Sequence, residues 1–374
     1  MWTKPFHELT KNDAATAGGK GASLGEMTQA GIPVPPGYVI LSSAFERFIE
    51  ASDINIEIDS ILKTVNVDAM HTVEQASADI QRLILEEKEI PQDIEQEALD
   101  AFKVLGAEFV AVRSSATAED SAEAAWAGQL DSFLNTTEST LLTNVRHCWA
   151  SLFTPRAIFY RFEKQLDQSH ISVAVVVQKM VNSDAAGIAF SVHPVTEDRN
   201  QLIIEAGFGL GEAVVSGQIT PDSYVVTKEP RKILDKNVIE QKRGLFRKQG
   251  GGNEWRDISD GSAQVLSDEE IFALSETVIR IENHYGFPCD IEWAKEGNEM
   301  YIVQSRPITT LADIPEQKTI LSKIYSREKS LFYFCIWHNS DVEGVRKFLG
   351  EELKTGMFVA PGKDKLGEVW YSLK

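Results

Sequence analysis

The stretch Asp290-Ile291-Glu292-Trp293-Ala294, continued by Glu296-Gly297-Asn298-Glu299 and then by Tyr301-Ile302-Val303-Gln304-Ser305-Arg306-Pro307, decides how the chain is read. Ile291 and Trp293 alternate with Asp290 and Glu292, and Tyr301 and Val303 alternate with Gln304 and Arg306, which is strand periodicity in both arms. The turn formers between the arms predict a hairpin. A three-residue loop, Gly297 to Glu299, sets Glu292 opposite Gln304, Asp290 opposite Arg306 and Trp293 opposite Val303, so that one face is polar. A two-residue loop would put Glu292 and Gln304 on opposite faces. A carboxylate beside an amide oxygen, with an arginine one strand step further, can hold Mg²⁺ and the phosphates it bridges, because magnesium takes few protein oxygens. An exposed polar hairpin face with a cross-strand salt bridge is the competing reading.

Three segments upstream raise the same question about phosphate. Gly18-Gly19-Lys20-Gly21-Ala22-Ser23-Leu24-Gly25-Glu26-Met27 joins glycines that permit close backbone approach to a lysine point charge. It lacks the Walker spacing and a preceding strand, and a flexible loop at a helix start explains it without any ligand. Val112-Arg113-Ser114-Ser115-Ala116-Thr117-Ala118-Glu119-Asp120, followed by Ala127-Gly128-Gln129-Leu130-Asp131-Ser132-Phe133, takes an arginine out of a buried strand into small hydroxyl and glycine residues. That pattern can present a guanidinium and backbone N–H groups to phosphate, and a serine-capped turn with Arg113 in a structural ion pair fits it equally. Ala206-Gly207-Phe208-Gly209-Leu210-Gly211-Glu212 lacks the last glycine of a dinucleotide fingerprint, which leaves a loop lining a cleft or plain strand-to-helix punctuation.

The chain has 374 residues, which predicts two or three domains or subdomains; 43% are hydrophobic and 25% charged, as in a folded, water-soluble protein. Lys plus Arg number 37 against 56 Asp plus Glu, a formal net charge of −19, so nucleic acid and anionic lipid are poor partners. The few cations set among glycines therefore mark where a nucleotide's phosphates would go. Cys148, Cys289 and Cys335 show no CxxC spacing, which speaks against zinc and a disulfide framework. With no secretory h-region and no apolar run of the roughly 18 residues that a membrane helix needs, a cytoplasmic setting is expected.

Along the chain, the first hundred residues read as mostly helical after a glycine-rich opening loop, with a short strand from Tyr38 to Leu41. Short β-branched runs follow at Phe109 to Val112, Val173 to Gln178, Gly187 to Val192, Leu202 to Glu205 and Ser223 to Val226. Lys228 to Trp255 reads as a hairpin or mobile loop, and Ser267 to Tyr285 as one amphipathic helix capped by Ser267. Thr309 to Pro315 reads as a linker; beyond it lie an apolar run, Leu331 to Trp337, and a helix-like stretch, Val342 to Leu353. The expected fold class is α+β (mixed α/β), with a mainly helical lobe over 1–105, a second lobe over 106–312 carrying the hairpin, and an unassigned, truncated segment over 313–374.

Together the four motifs resemble the N-terminal nucleotide-binding domain of the phosphoenolpyruvate synthase and pyruvate, phosphate dikinase family, from about Phe6 to Ile308 and in the family's order. The resemblance implies an ATP-grasp-like domain of two subdomains around a cleft, with Mg²⁺ and ATP as its ligands. It implies that Lys20, Arg113 and Arg306 are the catalytic cations, Lys20 and Arg113 contacting phosphate and Arg306 the transferring phosphoryl group. It further implies that Gly128 to Ser132 closes over the nucleotide, that Gln178, Met180 and Val181 face adenine, and that Glu292 and Gln304 bind magnesium.

In that family ATP phosphorylates a histidine on a swivelling domain, which carries the group to a distant site where pyruvate becomes phosphoenolpyruvate. None of His7, His71, His147, His170, His193, His284 or His338 sits in the family's Thr-Ser/Cys-His-Ala context, and nothing resembles the pyruvate-binding barrel. The resemblance thus implies a phosphohistidine domain in cis on a longer enzyme, or in trans on a partner. Two other readings stand beside this one: the ATP-binding domain of a rifampicin phosphotransferase-like enzyme, and a non-catalytic ATP-sensing module.

Overall fold

The computed structural model describes residues 1–117, 131–163, 172–308 and 311, together with two short strands near the C-terminus. Five strands, β1 (Thr3–Pro5), β2 (Gly37–Ile40), β3 (Val110–Ala116), β4 (Ser132–Thr136) and β5 (Val173–Lys179), form an antiparallel sheet in the order β1-β2-β5-β3-β4. Because β5 is central, its run from Val173 to Val177 is fully buried, and the segment is apolar at every position instead of alternating. On one face Tyr38, Ile40, Val110, Val112, Val175 and Val177 share a core with helices. These are α2 (Ser42–Ala51), α3 (Asn55–Leu62), α4 (Met70–Arg82), α5 (Gln92–Leu105), α6 (Leu141–Ala150) and α7 (Pro155–Glu163). Phe48 stacks on Trp149 at 5.0 Å between ring centroids, joining α2 to α6 near the centre of that core.

The opposite face, with Val39, Ala174 and Val176, packs on Leu24 and Met27 of α1 (Ala14–Gln29). The same core takes in a second antiparallel sheet. Its strands are β6 (Ala185–Phe190), β7 (Gln201–Phe208), β8 (Asp222–Thr227) and β9 (Lys232–Asn237), followed, after a separate pair β10 (Arg243–Arg247) and β11 (Asn253–Asp257), by β12 (Cys289–Glu296) and β13 (Glu299–Pro307). The order is β13-β12-β6-β7-β8-β9. A short helix, α8 (Glu212–Val215), follows the glycine-rich turn after β7, and α9 (Asp268–Tyr285) closes the core with Ile271, Leu274, Val278 and Ile281. Ser267 caps α9 in a reciprocal capping box with Glu270, and Gly286 ends it in the left-handed conformation, as the sequence expectation of a Ser267-capped helix had it.

Three expectations change. First, the opening hundred residues, read as mostly helical with one short strand, supply two strands, β1 and β2, to the same sheet as β3 to β5. The chain forms two compact units, Met1–Thr309 and Thr310–Lys374; in the second, Met357–Val359 pairs antiparallel with Val369–Tyr371. The segments Leu331 to Trp337 and Val342 to Leu353 lie outside the described residues. Second, β3 continues through Arg113, Ser114 and Ser115 to Ala116, because both serines are buried against neighbouring elements and hydrogen-bonded: Ser114 Oγ donates to the Asp131 carbonyl at 2.8 Å and Ser115 Oγ accepts from Gly21 N at 3.3 Å.

Third, the glycine-rich opening is helical, with a kink at Gly18 (φ 67°, ψ 170°). Gly18, Gly21 and Gly25 fall on one side of α1 and let it sit directly on Ser115, Val39 and Leu9. Among the described residues, Cys148 and Cys289 are buried free thiols, and no helix is long and apolar enough to cross a membrane. A Cβ on Gly18 would stand 2.2 Å from Ser115 Oγ and 2.3 Å from its carbonyl oxygen, in a backbone region essentially reserved for glycine. Gly18→Ala is expected to destabilise the fold by about 3 kcal/mol or more, read from urea unfolding; an unchanged midpoint would contradict this packing.

Candidate functional site

The hairpin forms, with a different turn. Glu296 pairs with Glu299, so the loop is the two residues Gly297 and Asn298, and Gly297 takes the positive φ of 59° that a tight turn needs. The three-residue loop expected from the sequence is therefore absent. Glu292 nevertheless pairs with Gln304 and Asp290 with Arg306, because the register shifts between Glu292 and Trp293. Trp293 pairs with Ile302, and Val303 becomes the extra residue of a β-bulge. A two-residue loop alone would turn Gln304 away from Glu292; the bulge supplies the missing residue and restores the shared face.

Arg113 meets this hairpin from β3. Its Nη2 donates to Glu292 Oε2 at 3.3 Å and to Gln304 Oε1 at 2.5 Å, and its Nη1 donates to the Val303 carbonyl at 3.1 Å. The bulge therefore aims a carbonyl at the same guanidinium that the two side chains share. Only 12% of the Arg113 side chain and 23% of that of Glu292 are exposed, so water screens this pair less than a surface ion pair. Lys20 of α1 donates to the Ser114 carbonyl at 3.1 Å, next to Arg113, and Ser23 Oγ donates to the Ser305 carbonyl at 3.0 Å, next to Gln304. One helix thus fixes both strands that carry the site.

Arg306 stands one step along the same face. Its Nε donates to Asp290 Oδ2 at 2.8 Å, and its guanidinium is half exposed. Burial pushes the Asp290 carboxyl above the usual carboxylate range, with Arg306 pulling it back. Ser132 is exposed and pairs directly with Arg113 across β3 and β4. Gly128 lies outside the described residues. Gln178, one residue before the end of β5 and opposite Ala111, is buried; Met180 packs against Leu210, Ala213 and Leu245, and Val181 follows, half-buried. Gln178 Nε2 and Asn135 Oδ1 are buried without a hydrogen-bond partner among the described residues, and Asn135 N donates to Met180 Sδ at 2.9 Å.

The structure therefore gathers Lys20, Arg113, Ser132, Glu292 and Gln304, sets Arg306 one step away on Asp290, and leaves Gln178, Met180 and Val181 at the end of β5. Sequence reasoning missed the Val303 carbonyl and Glu205. Across the second sheet Gln304, Glu292, Ile188, Glu205 and Ser223 lie opposite one another on successive strands, so Glu205 shares the face of the hairpin's polar pair. A carboxylate inside the apolar run Leu202-Ile203-Ile204-Glu205-Ala206 was the available signal. Among the described residues no group of three or more His, Cys, Asp or Glu could hold a metal ion without further ligands.

Burial holds the Glu205 carboxyl above the usual range. An acid whose folded pKa is raised binds its proton more tightly in the native state, so stability falls as pH rises through the ordinary carboxylate range towards the raised folded value. Glu205→Gln is expected to stabilise the ligand-free chain at neutral pH, with the gain vanishing under acid conditions below the carboxylate range. Thermal unfolding across pH reads this directly, and a pH-independent difference would rule out burial of the charge as its cause.

Comparison with known proteins bears on the same residues. A family model described as pyruvate phosphate dikinase, AMP/ATP-binding domain, matches residues 14–328. A probable phosphoenolpyruvate synthase of Methanothermobacter thermautotrophicus is 44% identical over 328 residues, covering 85% of this chain and 47% of that protein. The phosphoenolpyruvate synthase of Pyrococcus furiosus is 39% identical over 359 residues, covering 83% and 44%. The rifampicin phosphotransferase of Bacillus subtilis is 39% identical over 371 residues, covering 98% and 42%. The chain spans less than half the length of each of these relatives. With a family model covering most of its length and bracketing every residue of the Arg113 and hairpin cluster, the chain belongs to the pyruvate phosphate dikinase AMP/ATP-binding domain family.

Proposed function

We propose that this chain binds Mg·ATP and transfers a phosphoryl group from it to a histidine on another domain or chain, as the first half-reaction of a phosphoenolpyruvate synthase-type dikinase. The observation that carries this reading is the convergence of the Glu292 and Gln304 oxygens on one nitrogen of Arg113, at 3.3 and 2.5 Å. Oxygens aimed together at one cationic point suit a divalent ion that takes only a few protein ligands. Glu292 and Gln304 are the residues that would hold Mg²⁺, which when bound would neutralise phosphate charge.

Lys20, Arg113 and Arg306 are then the side chains that bind phosphate, Arg306 serving the group in transfer. Their contribution is positioning and a fixed positive field in a partly buried site, and no general base is required from this chain. The buried Gln178 Nε2 and Asn135 Oδ1, without a hydrogen-bond partner among the described residues, support placing the adenine at the end of β5 beside Met180, since a base edge would satisfy polar groups that are costly to leave unmade. Gly128 to Ser132 is the stretch we assign to closure over the nucleotide. Two antiparallel sheets joined through Arg113 fit an ATP-grasp-like arrangement around a cleft, and the buried thiols fit a cytoplasmic setting.

The phosphoryl group would leave the histidine for pyruvate, by analogy with the synthase relatives. One observation favours a second acceptor. The match to the rifampicin phosphotransferase covers 98% of the chain and so takes in residues beyond 313, whereas the two synthases cover 85% and 83%. Supplying the phosphohistidine and acceptor domains of either relative, and assaying phosphoenolpyruvate against phosphorylated rifampicin, separates the two. A histidine domain that never becomes phosphorylated would leave only ATP sensing.

The underlying reading is tested by calorimetry of ATP with and without Mg²⁺. Micromolar binding that requires Mg²⁺ is expected, with Glu292→Ala and Arg306→Ala each weakening it about tenfold or more, the range of a lost charge-assisted contact. No heat from the unmodified chain, or variants that bind as well as it does, would sink the proposal.

A further inference from the structure

The face of the second sheet that carries Glu292 and Gln304 can be followed row by row. Two residues further from the β5 end of the site, about 7 Å along the strands, come Asp290 and Arg306. Two residues nearer, the row is roofed: a Cβ on Gly207 would meet Val214 and Ile219 at 2.7 Å, and Ala186 lies against Gly211. The row of Glu292 and Glu205 is therefore the first beyond the cover of α8. Glu205 stands two strands from Glu292, about 10 Å away, with half-buried Ile188 between them. Its side chain is half-buried and makes no hydrogen bond or ion pair among the described residues.

The chemistry of that position narrows what a bound nucleotide could place there. A phosphate would be repelled by the carboxylate. A metal ion would find Ile188 and Ser223 as the cross-strand neighbours and no cluster of acidic or imidazole ligands among the described residues. The base is assigned to the end of β5, beside Gln178 and Met180, and the polyphosphate to Glu292 and Gln304. What remains between base and phosphates is the sugar, whose neighbouring hydroxyls are neutral donors that a carboxylate can accept from with both oxygens.

We infer that Glu205 is a specificity-determining residue of the nucleotide site, accepting hydrogen bonds from the sugar hydroxyls and thereby selecting ribonucleotides over deoxyribonucleotides. The inference rests on the nucleotide-binding reading above. A carboxylate held half out of water with no partner among the described residues is costly in the free chain, and the hydroxyls of a bound ribose would satisfy it.

The test is calorimetry of Mg·ATP, Mg·2′-deoxy-ATP and Mg·3′-deoxy-ATP with the unmodified chain, Glu205→Ala and Glu205→Gln, each variant checked for an unchanged urea midpoint or a higher one. The unmodified chain is expected to prefer ATP to at least one deoxynucleotide by about tenfold or more. Glu205→Ala should bring that ratio close to one by weakening ATP more than the deoxynucleotide it is compared with, and Glu205→Gln, which keeps one acceptor oxygen, should leave an intermediate ratio. Tight ATP binding without discrimination, a ratio that survives Glu205→Ala, or equal weakening of all three nucleotides would each overturn the role of Glu205. Failure of the unmodified chain to bind any of them would instead overturn the nucleotide reading itself. Should Glu205→Ala not fold, the Glu205→Gln ratio decides alone, and an unaltered ratio counts against the inference.

Discussion

Arg113 is the point on which the site depends. A single guanidinium reaches from the first sheet to a carboxylate, an amide oxygen and a bulged carbonyl on the second, over sequence separations of 179 to 191 residues. Its planar fork makes this possible, since several N–H donors leave one rigid group in different directions; a lysine at the same place could meet one such partner well and the others poorly. The sheets themselves are held by apolar burial, which is not directional. Arg113 adds the direction, and with it the alignment of the polar face of the hairpin.

The helix α1 does the same work in a different material. Its small residues let its backbone lie almost on β3 and β2, and its polar side chains then tie β3 to β13 through Lys20 and Ser23. A bulkier helix surface would hold the strands further apart. Glycine at these positions therefore acts through the space it leaves, and at Gly18 also through a backbone conformation other residues avoid.

How much of this could be read from the amino-acid sequence depended on whether the signal was local. The strand character of both hairpin arms and the pairing of Glu292 with Gln304 were legible, because a period of two repeats within a few residues. The turn and the bulge were not: a three-residue loop and a two-residue loop with one bulge place Glu292 opposite Gln304 alike, and they differ only in pairings nearer the turn that periodicity does not fix. The Ser267-capped helix was legible from its cap and its amphipathic pattern. The glycine-rich opening was misread as a loop because glycine disfavours helices in isolation, and the packing that overrides this comes from Ser115, Val39 and Leu9, remote in sequence or buried from local view. The pairing of β2 with β5 escaped for the same reason, the two strands lying more than a hundred residues apart. Glu205 carried only the weak signal of one acid in an apolar strand; its alignment with Glu292 exists only once the strands are paired.

The bulge at Val303 also bears on the order in which the molecule assembles. A hairpin with the two-residue turn, taken alone, has a regular pairing open to it in which Val303 faces Glu292 and Gln304 turns away. The bulged carbonyl of Val303 is held by a group on β3, so part of the choice of register is made outside the hairpin. During synthesis β3 leaves the ribosome well before β12 and β13, and the strand that holds this carbonyl is already present when the hairpin emerges. The bulged end of the hairpin therefore depends on a contact closed over 179 to 191 residues, whose loop-closure entropy a local turn does not have to meet.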